Sequence, residues 1–249
     1  MKPVLQTYLP YDALTPKPLP GIAPLAMENW LIVDEAYASQ MAERDRLIAN
    51  HPGDVMGLEP LALEPAQELL DMVLDALIER TEQDFLQNGD HITRPDGITV
   101  LVDRTAPMAT LGRLVQEDFC ILQKRGDEHV LTGAVLCFPA SWQLSEKFGE
   151  PLIGIHTPVN QYTDDIAKRV QRLFDGVRPD RPMWRSNALW YSDATLHQPR
   201  SSKNPRTLAN PETEPFFRSE KQSILRLPRT DAVIFSIHTF VLARVDVLP

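Results

Sequence analysis

The segment from 146 to 162, EKFGEPLIGIHTPVNQY, places one histidine at a stiffened corner of the chain. His156 follows a short apolar stretch, and Pro158 prevents a helix from continuing through the corner. An imidazole can ligate a metal ion or exchange protons near neutral pH, so this ring could do chemistry. A lone loop histidine is more often a hydrogen-bonding side chain, and the segment by itself leaves both roles open.

Polar residues recur at a spacing of two further along the chain. Arg185 and Asn187 lie in the stretch WRSN, and Arg218 and Glu220 lie in FRSE. Side chains two apart on a strand point to the same face, so each pair can reach a common ligand. Arg218 and Glu220 form either an ordinary ion pair or part of a site. Arg226, on the same alternation, is either a solvated edge charge or a fork that holds a carboxylate.

The recognisable machinery of several enzyme classes is missing. The sequence has no Walker loop and no G-x-G-x-x-G, G-x-S-x-G, H-E-x-x-H or C-x-x-C motif. Cys120 and Cys137 lie in apolar stretches typical of buried, reduced thiols, and two cysteines cannot hold an iron–sulfur cluster alone. If the chain is an enzyme, a bound cofactor carries the hard chemistry.

The charge of the chain restricts its partners. A formal net charge of -9 over 249 residues argues against a nucleic-acid binder and against binding to an anionic membrane surface. No apolar stretch reaches the length of a signal-peptide core or of a membrane span. We therefore expect a cytoplasmic protein.

The elements that must position these residues follow from the period of the apolar positions. Helical spacing predicts helices over 36–50, 63–87, 141–149 and 163–177. Alternation predicts strands over 97–103, 117–125, 129–139, 184–193, 220–227 and 232–245, with the turn PRTD closing a final hairpin. This order predicts an α+β domain in which helices flank an antiparallel sheet. We expect the proline-rich residues 1–62 to form an extension that packs on a domain spanning 63–249.

Three segments, in order, resemble one family. GAVLCFPASWQLSEKFGEPLIGIHTPV (133–159) resembles the block F-P-S-x-W-x-L-x-x-K-x-G-x-P-L-x-x-I-H-x-P-V, and WRSN (184–187) resembles an R-x-N-W element. FFRSEKQSILRLPRTDAVIFSIHTF (216–240) resembles R-x-E-x-Q-T-L-x-R-L-P-x-S/T-x-A-V-x-F-x-I-x-T-Y. Three blocks in the required order are far more specific than one short motif. The chain resembles the haem-dependent oxidative N-demethylase alpha-subunit-like proteins.

The resemblance implies a fold, a cofactor and an activity. It implies a PAS-like antiparallel sheet whose helices grip haem b. The activity it implies is oxidation of dimethylamine by dioxygen to methylamine and formaldehyde. It also implies separate subunits that carry FMN and an iron–sulfur cluster to deliver electrons from NADPH, and tetrahydrofolate to take up the formaldehyde.

The resemblance also gives roles to individual residues. His156 becomes the expected iron ligand, with His238 as its rival. Arg226, Arg185 and Asn187 become contacts to the haem, with propionate groups as targets for the arginines. Glu220, with Arg218 beside it, becomes the expected catalytic charge that polarises a cationic amine or dioxygen, although a structural ion pair remains the plainer interpretation.

This chain departs from the family pattern at three positions. Ala188 stands where the pattern has Trp, with Trp190 two positions on. Phe240 stands where the pattern has Tyr, and His238 stands at a position where we expect Arg in this family. If these positions line the distal pocket, a different substrate is implied even when haem binds. A haem-based sensor without turnover and a structural domain that has lost its cofactor are the alternative interpretations.

Overall fold

A computed structural model describes residues 3–15, 21–152, 164–201, 203–204 and 210–248. The described helices are α1 (Tyr37–Asn50), α2 (Pro52–Val55), α3 (Leu63–Ile78), α4 (Pro107–Leu114) and α5 (Asp164–Gly176). The strands are β1 (Ala23–Pro24), β2 (Met56–Leu58), β3 (Leu86–Asn88), β4 (His91–Thr93), β5 (Thr99–Leu101), β6 (Asp118–Arg125), β7 (Glu128–Val135), β8 (Met183–Tyr191), β9 (Phe216–Arg226) and β10 (Val233–Ala243). None of these helices is long and apolar enough to cross a membrane.

The main sheet has seven antiparallel strands in the order β1-β8-β9-β10-β6-β7-β2, and β3, β4 and β5 form a small second sheet. The main sheet buries side chains on both faces. One face packs on α5 through a cluster that includes Ile224, Ile237 and Phe174. The other face packs on α1, α3 and α4 through the larger core. The predicted α+β class, with helices flanking an antiparallel sheet, is confirmed.

Two of the predicted helices differ from the structure. The helix predicted over 63–87 ends at Ile78, and Leu86–Asn88 instead forms a strand that pairs with His91–Thr93 across a turn in which Gly89 has a φ of +61°. The helix predicted over 141–149 is reduced to one 3-10 turn at Leu144–Glu146, because Ser141 has a φ of +66° and cannot cap a helix.

Residues before 63 are part of the main sheet and its core. β1 and β2 form the two edges of the sheet, and residues such as Trp30 and Met41 belong to the main core. The boundary at residue 62 and the PAS-like identity of the sheet stay predictions.

A buried ion pair fixes the start of β6. Arg44 of α1 donates through Nη1 to the Asp118 carboxylate at 2.6 Å, and both side chains are almost fully buried. The remaining guanidinium groups donate to the carbonyls of Gly112, Gln116 and Glu117. The same Asp118 carboxylate accepts the N–H groups of Cys137 and Phe138, at 2.7 and 2.8 Å. One carboxylate therefore joins α1, α4, β6 and the turn that follows β7.

The face of the sheet opposite α5 contains a second polar network. His238 of β10 contacts Glu117 through Nδ1 at 2.9 Å and Asp34 through Nε2 at 3.1 Å. Gln6 and Gln116 donate to the Asp34 carboxylate. Burial lowers the pKa of His238, but the hydrogen bonds to Asp34 and Glu117 outweigh it and raise that pKa to about 9. His238 is therefore a buried imidazolium held between two carboxylates.

We predict that Asp118→Asn lowers the free energy of unfolding by about 3–5 kcal/mol, because Arg44 becomes a buried cation without a counterion. Urea denaturation of the variant measures this. Asp180→Asn is the control, since the Asp180 side chain is 63% exposed where it meets Arg178 and should shift stability by less than about 1 kcal/mol. Equal effects of the two variants would contradict the assignment of Asp118 as a central constraint.

We predict that the free energy of unfolding falls as pH rises from about 6.5 to about 9. The folded protein keeps the His238 proton that the unfolded chain releases near its ordinary pKa, so this contribution is complete below 6.5 and is lost above the folded pKa. One such proton gives a slope of at most about 1.36 kcal/mol per pH unit.

Urea denaturation at several pH values measures the slope. His238→Gln should remove it, and His51→Gln, at an exposed histidine, should leave it intact. Parallel slopes in wild type and His238→Gln would contradict the prediction.

Candidate functional site

Strand register brings the polar residues of β8, β9 and β10 onto the face that packs on α5. Asn187, Glu220 and Thr239 lie in one row across the three strands. The neighbouring rows are Arg185, Gln222 and Ile237 on one side, and Leu189, Arg218 and Val241 on the other. Because alternate residues share a face, these rows lie on the same surface as Ile224, which packs on α5. We call this surface the site face.

Glu220 is the carboxylate at the centre of the site face. Its Oε2 accepts hydrogen bonds from Asn187 Nδ2 at 3.3 Å and from Gln222 Nε2 at 2.9 Å. The residue is only 7% exposed. Two amide donors from neighbouring positions fix the orientation of the carboxylate, and no ion pair joins it to Arg218 among the described residues. Of the two predicted interpretations, the ordinary ion pair is thus not the arrangement seen.

Arg185 is a cation without a bound partner in the described part of the chain. Its Nε is buried and makes no hydrogen bond. Burial lowers the pKa of the Arg185 guanidinium, and the Glu220 carboxylate opposes this shift. A half-buried guanidinium costs desolvation energy that a bound anion would offset. Arg185 is therefore suited to receive a carboxylate.

Arg218 is engaged by the main chain. Its Nη1 donates to the carbonyl of Leu196 at 2.9 Å, and its Nη2 donates to the carbonyl of Phe138 at 2.7 Å. Its Nε is buried without a partner. The residue ties β9 to the turn after β7 and to the segment around Leu196, so its observed role is to close one end of the site face.

The Arg226 guanidinium donates hydrogen bonds within the protein through all three of its nitrogens. Nε donates to the carbonyl of Val177, Nη2 to that of Phe174, and Nη1 to the carbonyl and carboxylate of Asp231. The last carbonyls of a helix lack partners within the helix, and here Arg226 satisfies them at the end of α5. The geometry favours neither predicted role, a solvated charge or a propionate fork, because the guanidinium anchors α5 instead.

His156 lies outside the described residues. The described chain resumes with α5, whose far end is held to the sheet by Arg226, by a Lys124–Asp175 ion pair of 2.6 Å, and by a 2.9 Å hydrogen bond between Gln171 and His129. The site face beside α5 combines an apolar wall with the unpartnered Arg185. An apolar wall and a free cation suit the ring and a carboxylate of a haem, which requires few protein ligands because the porphyrin supplies four nitrogens.

All three departures from the family pattern lie on the other face. Ala188, His238 and Phe240 alternate with the site-face residues Asn187 and Thr239. The sheet therefore places these three positions away from the site face, and the condition that they line a distal pocket stays a prediction. His238 is also a poor rival for the iron, because both of its ring nitrogens already contact carboxylates.

Two residues of the site face were not singled out from the sequence. Gln222 orients Glu220, and Thr239 lies opposite Glu220 on β10. Both are matched positions in the third family block, R-x-E-x-Q and I-x-T-Y. The matched residues of R-x-E-x-Q are Arg218, Glu220 and Gln222, which lie on the site face of β9. Their spacing of two in the family pattern is the sequence signal that could have identified Gln222.

The chain matches the family model described as haem-dependent oxidative N-demethylase, alpha subunit-like, over residues 21–247. The match begins just before β1 and covers every strand of the site face. The protein belongs to the haem-dependent oxidative N-demethylase alpha-subunit-like family.

Proposed function

We propose that this chain is the haem-binding subunit of a cytoplasmic system that oxidatively demethylates a small secondary amine of the dimethylamine kind, with release of formaldehyde. The observation that carries the proposal is the site face, where an oriented, buried carboxylate lies beside an unpartnered arginine within the matched family region. A bound haem b would supply the oxidising chemistry with dioxygen.

Three residues of the chain would hold the haem. The His156 imidazole would ligate the iron, which requires the neutral ring and an acceptor for its other N–H. The Arg185 guanidinium would bind a propionate, because its buried Nε has no protein acceptor. Asn187 would stay beside this group as a donor, although its Nδ2 already contacts Glu220.

Glu220 would bind the substrate nitrogen. The amides of Asn187 and Gln222 hold its carboxylate in one orientation, so it can accept an N–H of the amine without reorganising. In a site from which water is excluded, this fixed negative charge favours positive charge that develops on the nitrogen or the methyl carbon. Arg218 would support this arrangement by closing the end of the site face, rather than by contacting the amine through its occupied Nη groups.

The system would require partners. The family description names an alpha subunit, which implies further subunits. We propose a reductase subunit with FMN and an iron–sulfur cluster as the electron source, and tetrahydrofolate on another subunit as the formaldehyde acceptor.

The first test is the haem spectrum. We predict that purified protein, supplied with haem, shows a Soret band that shifts on reduction and again on carbon monoxide. His156→Ala should lose this spectrum, whereas His238→Ala should keep it in whatever fraction remains folded. Protein that stays colourless after haem titration would contradict both the enzyme and the sensor interpretation, and loss of haem with His238→Ala alone would reverse the ligand assignment.

Turnover distinguishes an enzyme from a sensor. Haem-loaded protein with an artificial electron donor should consume oxygen and release formaldehyde in the presence of dimethylamine. Glu220→Gln should lower the rate by roughly 10²-fold or more, as loss of a fixed transition-state charge does in other enzymes. A normal haem spectrum with no amine-dependent oxygen uptake would favour the sensor.

Substitutions of Arg185 and of Arg226 should have different effects on stability and on haem binding. We predict that Arg185→Met leaves the stability of haem-free protein unchanged or raises it slightly, but weakens haem binding about tenfold or more, because a charge-assisted hydrogen bond to a propionate is lost. Arg226→Met should instead destabilise haem-free protein by about 1–3 kcal/mol, because buried helix carbonyls lose their donor. Urea denaturation and haem titration measure both effects, and equal destabilisation by both variants would contradict the role of Arg185.

A further inference from the structure

Thr239 carries a buried hydroxyl that the protein does not use. The residue is 1% exposed, and its Oγ1 has no hydrogen-bond partner among the residues that the structure describes. Its main chain, in contrast, is well satisfied, since its carbonyl accepts from the side chains of Gln6 and Gln40. Leaving a hydroxyl unpaired in the interior costs free energy, and native proteins avoid this almost everywhere.

Other buried threonines of this chain show the usual solution. The Thr110 hydroxyl donates to main-chain carbonyls of Asp103 and Ala106 and lies within hydrogen-bond distance of the Asp103 N–H. The Thr132 hydroxyl contacts the carbonyl of Ile121. The unpaired hydroxyl of Thr239 thus contrasts with those of Thr110 and Thr132, whereas Thr230, in the turn after β9, also has a buried hydroxyl without a partner in the described chain.

The unpaired donors collect on the site face. Of the nine buried side-chain polar atoms without a partner in the described part of the chain, three lie there: Arg185 Nε, Arg218 Nε and Thr239 Oγ1. Thr239 is the register partner of Glu220, on the side away from Asn187. A donor without an acceptor in the described chain thus occupies the strand position opposite the oriented carboxylate.

We propose that Thr239 is a substrate-binding residue that donates its hydroxyl hydrogen to the nitrogen lone pair of a neutral secondary amine, whose single N–H is accepted by Glu220. One donor and one acceptor are what such a nitrogen can pair with. A secondary ammonium has two N–H groups and no lone pair, so it could donate to the Thr239 oxygen but would leave the hydroxyl hydrogen unpaired. A tertiary amine has a lone pair and no N–H for Glu220. Of these three species, the free base of the secondary amine pairs both the hydroxyl hydrogen and the carboxylate.

This inference rests on the proposed amine site at Glu220 and adds to it the protonation state of the ligand and a second contact. In the bound free base, the nitrogen lone pair would accept one hydrogen bond, from the Thr239 hydroxyl.

The test combines ligand binding with stability. Haem-loaded protein is titrated calorimetrically with dimethylamine and with trimethylamine at several pH values. The titrations compare wild type with Thr239→Val, Thr239→Ser, Thr110→Val and Glu220→Gln. Urea denaturation of the haem-free proteins runs in parallel. Thr110→Val is the matched control, because it removes a buried hydroxyl that does make hydrogen bonds.

We expect Thr239→Val to weaken dimethylamine binding about tenfold, the value of one good hydrogen bond, while Thr239→Ser and Thr110→Val bind like wild type. Wild-type affinity should rise with pH as the free base becomes more abundant. In haem-free protein, Thr110→Val should lose stability and Thr239→Val should lose none.

Two results would overturn the inference. Unchanged dimethylamine affinity in Thr239→Val would show that the hydroxyl does not contact the ligand, and a loss of stability equal to that of Thr110→Val would show that it bonds within the protein. If Glu220→Gln weakens binding and Thr239→Val does not, the proposed amine site stands and Thr239 alone fails. If neither variant weakens binding, the amine site at Glu220 fails with it.

Discussion

The Arg44–Asp118 ion pair is the constraint on which the arrangement of the sheet depends. A buried carboxylate must satisfy all its acceptor sites, and Asp118 does so with one guanidinium and two consecutive main-chain N–H groups. Those N–H groups belong to the turn after β7, so the ion pair fixes where that turn lies. The carbonyl of Phe138 in the same turn then receives Arg218, which closes the site face. A structural charge pair thus determines a boundary of the candidate site.

The described arginines of this sheet divide according to what satisfies them. Arg44, Arg218 and Arg226 use their donors on main-chain carbonyls, which is how a long, multivalent side chain joins segments that cannot pair as strands. Arg185 differs because its guanidinium makes no hydrogen bond to the described residues, whereas Arg218 lacks a partner only at Nε. A group that is desolvated but unsatisfied lowers stability, and natural proteins tolerate such groups mainly where a ligand completes them. The hydrogen bonds that each guanidinium already makes therefore distinguish the arginines that hold the structure together from Arg185, which we propose to bind a ligand.

Local reasoning from the sequence reached some of this arrangement and not the rest. The turn PRTD sets the register of the last hairpin, so counting residues outward from that turn is enough to pair Thr239 with Glu220. The pairing of β8 with β9 spans the long connection after Tyr191, and no local signal fixes its register. The contacts of Arg226 depend on where the end of α5 lies in the fold, and the periodicity of apolar residues does not predict that position. The strands β5 to β10 were thus predictable individually, but β1 to β4 and the contacts across distant segments were not.

The departures from the family pattern are best understood as compensated changes in the layer that supports the site face. An imidazolium at 238, with a pKa of about 9, supplies the positive charge between Asp34 and Glu117 that the pattern's arginine would supply. Ala188 and Trp190 share one face of β8, so a tryptophan is kept on that face one pleat further along. Phe240 keeps an aromatic ring against Tyr11, at 5.8 Å between centroids, without the hydroxyl. Each change preserves the charge or the ring that the support requires, and none replaces a residue that faces α5. The departures from the pattern therefore lie in the layer that supports the sheet, while the matched alternation on β9 and β10 contains the residues that we propose to bind the substrate.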